Sequence, residues 1–477
     1  MRCFALLFFV FVLSISVDAQ VSIIGNTYSC DETDAKIVSV GSIAIEGNDV
    51  TRDKIVFREL EFHSGQQLDF TNLCRLADLS RENLLNRSLF NFVYLDLIPD
   101  ELKANVINVK IRLIERWYVW PLPIFELADR NFNAWWQTKD FNRVNYGVFI
   151  THNNFRGRME QLKLLLRAGY NQNYSLLYEI PYLTSKQNIG IGFEAGYSRS
   201  REIPFETVGN EQLFYKNERD YAQEKLFFKT LFSYRIGYRN SHFLYLGYEQ
   251  YTFADTLITL NPDFMAMSGT KSAFVSLQYI FKHDFRDSKS YPLKGHYFEF
   301  EFSKSGFGIT NTSPDFQYVK TTFDWYTPIK GRWFWASNLT SKFSAGNTQP
   351  YYLRRALGFQ NDFVRSYELY VIDGDNFGIF KNNLKFNVIK PKVRNLPLIP
   401  TEKFSKIHYA LYLNVFLDMG YAGALIPEPL NPMNNELLIG TGLGLDLVTY
   451  YDMVFRFEYS RNRLNEFGFF IHFMAPI

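Results

Sequence analysis

Cysteine is nearly absent, with three in 477 residues, which excludes a disulfide-dense secreted mini-protein. An excess of charge of one sign is also lacking, since 51 Lys and Arg stand against 49 Asp and Glu for a net charge of +2. No long basic run substitutes for a global positive field, so nucleic acid is not an expected partner. Beyond Gln20 no stretch reaches the roughly eighteen consecutive apolar residues of a candidate spanning helix. Disorder is excluded by a hydrophobic content of 47%, and neither collagen nor coiled-coil patterning is present. What is abundant is aromatic: 47 Phe and 31 Tyr, a composition that favours strands over the Ala, Leu, Glu and Lys of helical enzymes. A chain of this length read as soluble would hold about three domains at ~100–200 residues each. The aromatic excess argues against that division.

The first residues, MRCFALLFFVFVLSISVDAQ, read as a secretory signal peptide over 1–19. Arg2 precedes an apolar stretch, and Val17 and Ala19 place small residues for cleavage after Ala19. The stretch falls short of the ~20 residues a spanning anchor needs. Cys3 lies inside it, so no lipid-attachment cysteine follows. Cys30 and Cys74 remain after cleavage, and an exported compartment permits a disulfide between them. A buried free thiol at Cys74, within an apolar helical pattern, is the competing reading.

After an extension over 20–36, residues 37–117 read as a small β-α-α-β-β domain. A strand over 37–46 ends at Gly47-Asn48. Thr51 is the expected N-cap of a helix through TRDKIVFRELEF, and Ser64-Gly65 stops it. Asp69 caps a second helix whose Leu73, Leu76, Ala77 and Leu84 recur at helical spacing. Two alternating runs, 89–97 and 106–115, complete the unit.

From about residue 131 the pattern changes to strands of period two. In 297–303 Phe298, Phe300 and Phe302 alternate with Glu299, Glu301 and Ser303; in 452–460 Met453, Phe455, Phe457 and Tyr459 alternate with Arg456, Glu458 and Ser460. Charged residues inside aromatic ladders over more than 300 residues fit an apolar-outside, polar-inside transmembrane β-barrel. Strands are expected to begin near residues 143, 159, 174, 188, 204, 225, 241, 272, 295, 317, 333, 377, 408, 436, 451 and 467. The expected fold is thus mainly β: the small domain followed, over 118–477, by a 16-stranded antiparallel transmembrane barrel with no exposed edge. The segment 346–375 is too polar to span and is expected to fold into the lumen. In 413–420, Asn414, Phe416, Asp418 and Gly420 share the lumen face, with Leu413, Val415 and Leu417 toward lipid.

The small domain, with LLNRSLFNFVYLDL over 84–97, resembles a POTRA domain, the periplasmic module of outer-membrane protein assembly factors. NNFRGR (153–158), EIPYL (179–183), DSKSYPLKGHYFEF (287–300), FVRSY (363–367) and FLDMG (416–420) resemble segments of the BamA/TamA superfamily, also called the bacterial surface antigen family. Ser366 stands where that family's Val-Arg-Gly-Tyr/Phe loop tip has Gly. The resemblance implies a lock between loop and lumen built from Val364, Arg365, Ser366, Tyr367, Phe416, Asp418 and Gly420, in which Asp418 receives Arg365. The last strand, EFGFFIHF, resembles a C-terminal β-signal and implies a seam at Gly468 and Phe473 that faces a first strand near 143–151. Its departure is the trailing Met474-Ala475-Pro476-Ile477.

An enzyme is not expected. The seven His are scattered without HExxH, and neither GxSxG nor a Walker motif occurs. No catalytic, cofactor or metal residues are therefore assigned. The resemblance implies an assembly or translocation factor in the bacterial outer membrane, its POTRA-like domain in the periplasm. Its partners would be unfolded outer-membrane or secreted clients, outer-membrane lipid and accessory assembly subunits. A secretion pore for a dedicated partner or surface lipoprotein is the alternative, as is a passive porin-like channel, which does not require the N-terminal module.

Overall fold

The computed structural model describes residues 36–103, 105–127, 144–265, 269–308, 313–346, 349–359, 361–395, 402–424, 430–449, 451 and 453–474. The expected signal peptide and Cys30 lie outside these residues. Cys74 is disulfide-bonded and buried.

The N-terminal module comprises β1 (Ile37–Glu46), α1 (Asp53–Phe57), β2 (Gln67–Asp69), α2 (Phe70–Leu85), β3 (Phe90–Pro99) and β4 (Val106–Glu115). Its sheet runs β2-β1-β4-β3, with β1 and β4 parallel and the other pairs antiparallel. Helix α2 starts where the Asp69 side chain accepts the Asn72 N–H at 2.8 Å, a cap that satisfies one of the free amide donors of the first turn. Leu73, Ala77 and Leu84 then bury against Val40, Phe90, Val109 and Ile111. The first helix is shorter than the sequence pattern predicts. Thr51 does not cap it: Arg52 holds the cap position without a side-chain bond. Thr51 is instead drawn into the contact with the barrel, and the chain leaves the helix at Phe57 because the next residues turn Glu59 inward.

The remaining strands form one sixteen-stranded antiparallel sheet. It begins with β5 (Val119–Leu127), β6 (Val144–Phe155), β7 (Glu160–Gly169), β8 (Gln172–Ile180) and β9 (Ile189–Ser200). A two-stranded hairpin, β10 (Glu202–Val208) and β11 (Glu211–Lys216), stands apart from it. The sheet continues with β12 (Gln223–Ile236), β13 (Asn240–Phe253), β14 (Lys271–Asp284), β15 (Gly295–Ser305), β16 (Phe316–Lys330) and β17 (Trp333–Gly346). It ends with β18 (Asn376–Asn395), β19 (Lys406–Gly423), β20 (Leu437–Thr449), β21 (Met453–Asn462) and β22 (Phe467–Met474).

The sheet thus has the expected sixteen strands, but two assignments differ. The segment near Pro204 belongs to the separate hairpin, because runs of six and seven residues are too short to cross a bilayer that takes ~9–11. The first strand is β5, not 143–151, which falls in the second. VWPLPIFEL hides a strand because Pro121 and Pro123 break the usual pattern. Proline is tolerated at a sheet edge, where its missing N–H faces no partner, and β5 pairs only with β6. Among the described residues no register joins β5 to β22, so the two end strands each keep one unpaired edge.

Alternation sorts the side chains as a membrane requires. Along β19, Leu413 and Val415 are 49% and 50% exposed while Asn414 and Asp418 are 2% and 0% exposed. Trp325, Trp335, Phe469 and Ile471 likewise face outward. An apolar surface of that extent is untenable in water and satisfied in lipid. No described helix is long and apolar enough to cross a membrane.

The module docks on the short-turn end of the sheet. Arg52 donates its backbone N–H to Gly157 O at 3.0 Å, and Asn86 bonds Asp287 O in the β14–β15 turn at 3.3 Å. Gly157 has φ +67, and a Cβ there would meet Val50 O at 2.0 Å, so the turn can sit against the module only as glycine. The connections after β9, β13, β17 and β19 lie at the opposite end. There the hairpin meets them through Thr207 with Tyr351 and Asn210 with Asn434.

Candidate functional site in the barrel lumen

The connection between β17 and β18 folds inward. An isolated bridge pairs Leu357 with Ile372, and Leu357, Val364, Tyr367 and Ile372 bury with Phe377, Ile379 and Leu438 of the strands. This apolar packing carries Arg365 across the lumen to three strands. Its Nε donates to Asp418 Oδ2 at 2.7 Å and its Nη2 to Asp418 Oδ1 at 2.6 Å, a two-pronged match of planar guanidinium to carboxylate. Nη1 donates to Asn383 Oδ1 on β18 at 2.8 Å and to Glu458 Oε1 on β21 at 3.1 Å. The guanidinium carbon lies 3.8 Å from the centroid of the Phe416 ring, whose face adds a cation–π contact.

The neighbouring residues make this approach sterically allowed. A Cβ at Gly420 would come within 2.3 Å of Val364 Cγ2, and one at Gly440 within 2.0 Å of Arg365 O. Ser366 adopts φ +77, a left-handed conformation that favours glycine. Its carbonyl accepts from Asn462 Nδ2 at 3.3 Å, while its buried hydroxyl makes no hydrogen bond. The Tyr367 hydroxyl accepts the Arg463 N–H at 3.1 Å and donates to Ile439 O at 3.4 Å. The seven residues assigned to the lock from the sequence therefore meet in one place. Gly468 and Phe473 lie elsewhere, on the edge strand β22. Gly468 is on the lumen-side parity, and Phe473 faces outward and packs 4.9 Å from Phe455.

Sequence reading missed Asn383 as the third anchor and did not link Glu458 to Arg365. Glu458 was legible only as one member of a polar strand face, and its partner is 93 positions away. A second polar network also went unread. Tyr291 donates its hydroxyl to Asp446 Oδ2 at 2.7 Å, and Arg456 Nε donates to Asp446 Oδ1 at 2.8 Å.

The largest omission is at the module–barrel junction. Glu59 is fully buried, with Arg235 of β12 donating to Oε1 at 2.7 Å and to Oε2 at 2.9 Å. Arg87 Nε lies 3.0 Å from Oε2 and Arg58 Nη1 3.4 Å from Oε1. Burial pushes the carboxyl up, but the positive charge of Arg87, the hydrogen bonds from Arg235 and the charge of Arg58 outweigh it and hold it at about 2. The Tyr238 hydroxyl bonds Leu60 O beside this cluster. Thr51 completes the junction: its N–H donates to Glu115 Oε1 at 2.7 Å, and its hydroxyl accepts from Asn154 Nδ2 at 2.9 Å.

Fold and lumen site together define a sixteen-stranded outer-membrane-type β-barrel with a folded-in loop and a small N-terminal α/β module. Residues 154–378 match the Omp85 superfamily domain. The fold is similar to that of BamA from Haemophilus ducreyi lacking POTRA domains 1–3, at 15% identity and TM-score 0.50, over 92% of this chain and 84% of that one. It is also similar to CdiB from Escherichia coli, at 13% identity and TM-score 0.52, over 91% of this chain and 75% of that one. No curated protein matches the sequence. The chain thus carries an Omp85 superfamily domain over residues 154–378 within a barrel fold similar to these structures.

Proposed function

We propose that this chain captures unfolded polypeptide on the module side of the outer membrane and inserts it into, or moves it across, that membrane. The observation that carries the reading is that, among the described residues, β5 and β22 are not paired with each other and each offers a backbone edge to an extended client by strand addition. The module offers a second such edge. Its β3 is paired on one side only and spans ten residues. A passive channel needs neither feature. The Arg365 contacts hold the loop against β18, β19 and β21, and Glu368 extends the same loop to His472 on β22, so a client meeting that edge also meets the loop.

The module is placed in the periplasm on this reading. The short turns face it and the long connections lie opposite, the arrangement of outer-membrane barrels. Unfolded outer-membrane or secreted proteins are the clients, with outer-membrane lipid and accessory assembly subunits as further partners.

A photo-crosslinking residue at Tyr94 on β3, and another at Leu122 on β5, tests the reading in growing cells. Mass spectrometry should identify trapped polypeptides at both positions. Several barrel precursors would mark insertion, and one secreted protein would mark dedicated export. Adducts with lipid alone would defeat the polypeptide-handling reading. Protease added to intact cells should spare residues 37–115, and rapid cleavage there from outside would reverse the orientation.

A further inference from the structure

We propose that Glu368, Glu458 and His472 form a binding site for a divalent transition-metal ion of the Zn2+ type, which pins the last strand to the folded-in loop. The three residues come from different elements: Glu368 follows the Arg365 tip, Glu458 is on β21 and His472 is on β22. His472 Nε2 bonds Glu368 Oε1 at 3.1 Å, and Glu458 Oε2 lies 3.2 Å from the same nitrogen. An imidazole nitrogen carries at most one hydrogen and satisfies one carboxylate. Glu458 Oε2 is accordingly a buried oxygen with no hydrogen bond, while Oε1 of the same carboxylate is occupied by Arg365. A carboxylate oxygen shut away from water and left unpartnered is costly, and a cation supplies what is missing.

The spacing suits such an ion. Zinc binds His nitrogen at about 2.0–2.1 Å and carboxylate oxygen at about 2.0–2.2 Å, which puts neighbouring donors of a tetrahedron roughly 3.3–3.5 Å apart. Here the nitrogen stands 3.1 and 3.2 Å from its two oxygens, and all three donor atoms lie within 4.8 Å of one another. One imidazole and two carboxylates make a donor set for zinc with a position left for water. Phe363 stacks on the imidazole at 5.9 Å and screens one side, and the Lys381 ammonium lies over the Phe363 ring at 4.3 Å. Because His472 sits on a strand with a free edge, an ion here couples loop position to that edge, whichever client is handled.

The test uses the full chain in detergent, stripped of metal and titrated with Zn2+ by calorimetry and with Co2+ by visible absorption. About one ion per chain should bind, and His472→Gln and Glu368→Gln should each weaken it by at least about tenfold and remove the Co2+ bands. Heat-modifiable mobility establishes that each variant is folded. His283 and His296, whose rings lie 5.4 Å apart on neighbouring strands, are the control. Changing both to Gln should leave the titration unaltered. The proposal is overturned if the parent chain binds neither ion, if His472→Gln binds as tightly, or if the control pair abolishes binding.

Discussion

Arg365 directs three guanidinium nitrogens at acceptors on three strands, so its removal leaves Asp418 and Glu458 as buried charges without their principal partner. Breaking buried pairs of this kind costs about 3–5 kcal/mol, less where water enters. Arg365→Ala should lower the temperature of heat-modifiable mobility and impair client assembly while the barrel still inserts. Arg365→Lys keeps the charge without the planar fork and should recover only part of the loss. Combined with Asp418→Ala, the Arg365→Ala defect should be smaller than the sum of the singles, since one orphaned charge disappears. Simple additivity would show that the pair does not interact energetically. Ser366 offers a test of opposite sign. Its left-handed backbone costs about 1–2 kcal/mol for a residue with a Cβ, and its hydroxyl is buried without a partner. Ser366→Gly should stabilise the barrel by about 1 kcal/mol after the entropy of glycine is charged against it, and Ser366→Val should destabilise it. Equal melting of all three chains would remove strain from the account. The contact between Arg365 and Asp418 was legible through the resemblance of FVRSY and FLDMG to known family segments. Asn383 and Glu458 were not, because strand parity places a residue in the lumen without saying which loop atom it meets.

At the scale of the element, strand parity was readable and strand identity at the start of the sheet was not. Alternating aromatics exposed β15 and β21, whereas β5 was concealed by the two prolines that its edge position permits. Those prolines have a consequence for pairing. N–H directions repeat every second residue along a strand, so Pro121 and Pro123 remove donors from the same edge. With β6 already paired along Val119–Leu127, that edge is the free one. A regular ladder between β5 and β22 is thereby denied in the middle of β5. Replacing both prolines with Ala should lengthen the pairing, raise heat resistance and slow client assembly. Cysteine pairs scanned along 119–126 and 467–473 give the complementary measurement. Crosslinks across the ends should block activity and reduction should restore it. Full activity with the ends locked would move client passage from the sheet edge into the lumen.

Module and barrel meet at Glu59, a carboxylate shared by three guanidiniums from two parts of the chain. The sequence offered only a faint sign of it, Glu59 next to Arg58 as one of two acids in the apolar run IVFRELEF. Only folding could bring Arg87 and Arg235 to it. The carboxyl is held at about 2 against an ordinary 4.5, and because Arg58 and Arg87 belong to the module itself, only the share contributed by Arg235 favours the docked arrangement. A depressed carboxylate contributes fully above its released value and loses its contribution as pH falls through its docked value. Docking should therefore be unchanged at pH 6 to 8, weaken below about 4.5 and lose this contribution near 2. Glu59→Gln leaves three guanidiniums facing one another without a counter-charge, so it should loosen the junction at neutral pH and abolish the acid-dependent step. Spin labels at Arg75→Cys on the module and Lys330→Cys at the turn end of the barrel report both effects as a broadened distance distribution. A distribution that stays narrow in Glu59→Gln at neutral pH, or that broadens with acid in the variant as in the parent, would show that the junction is held by its apolar and backbone contacts and not by this carboxylate.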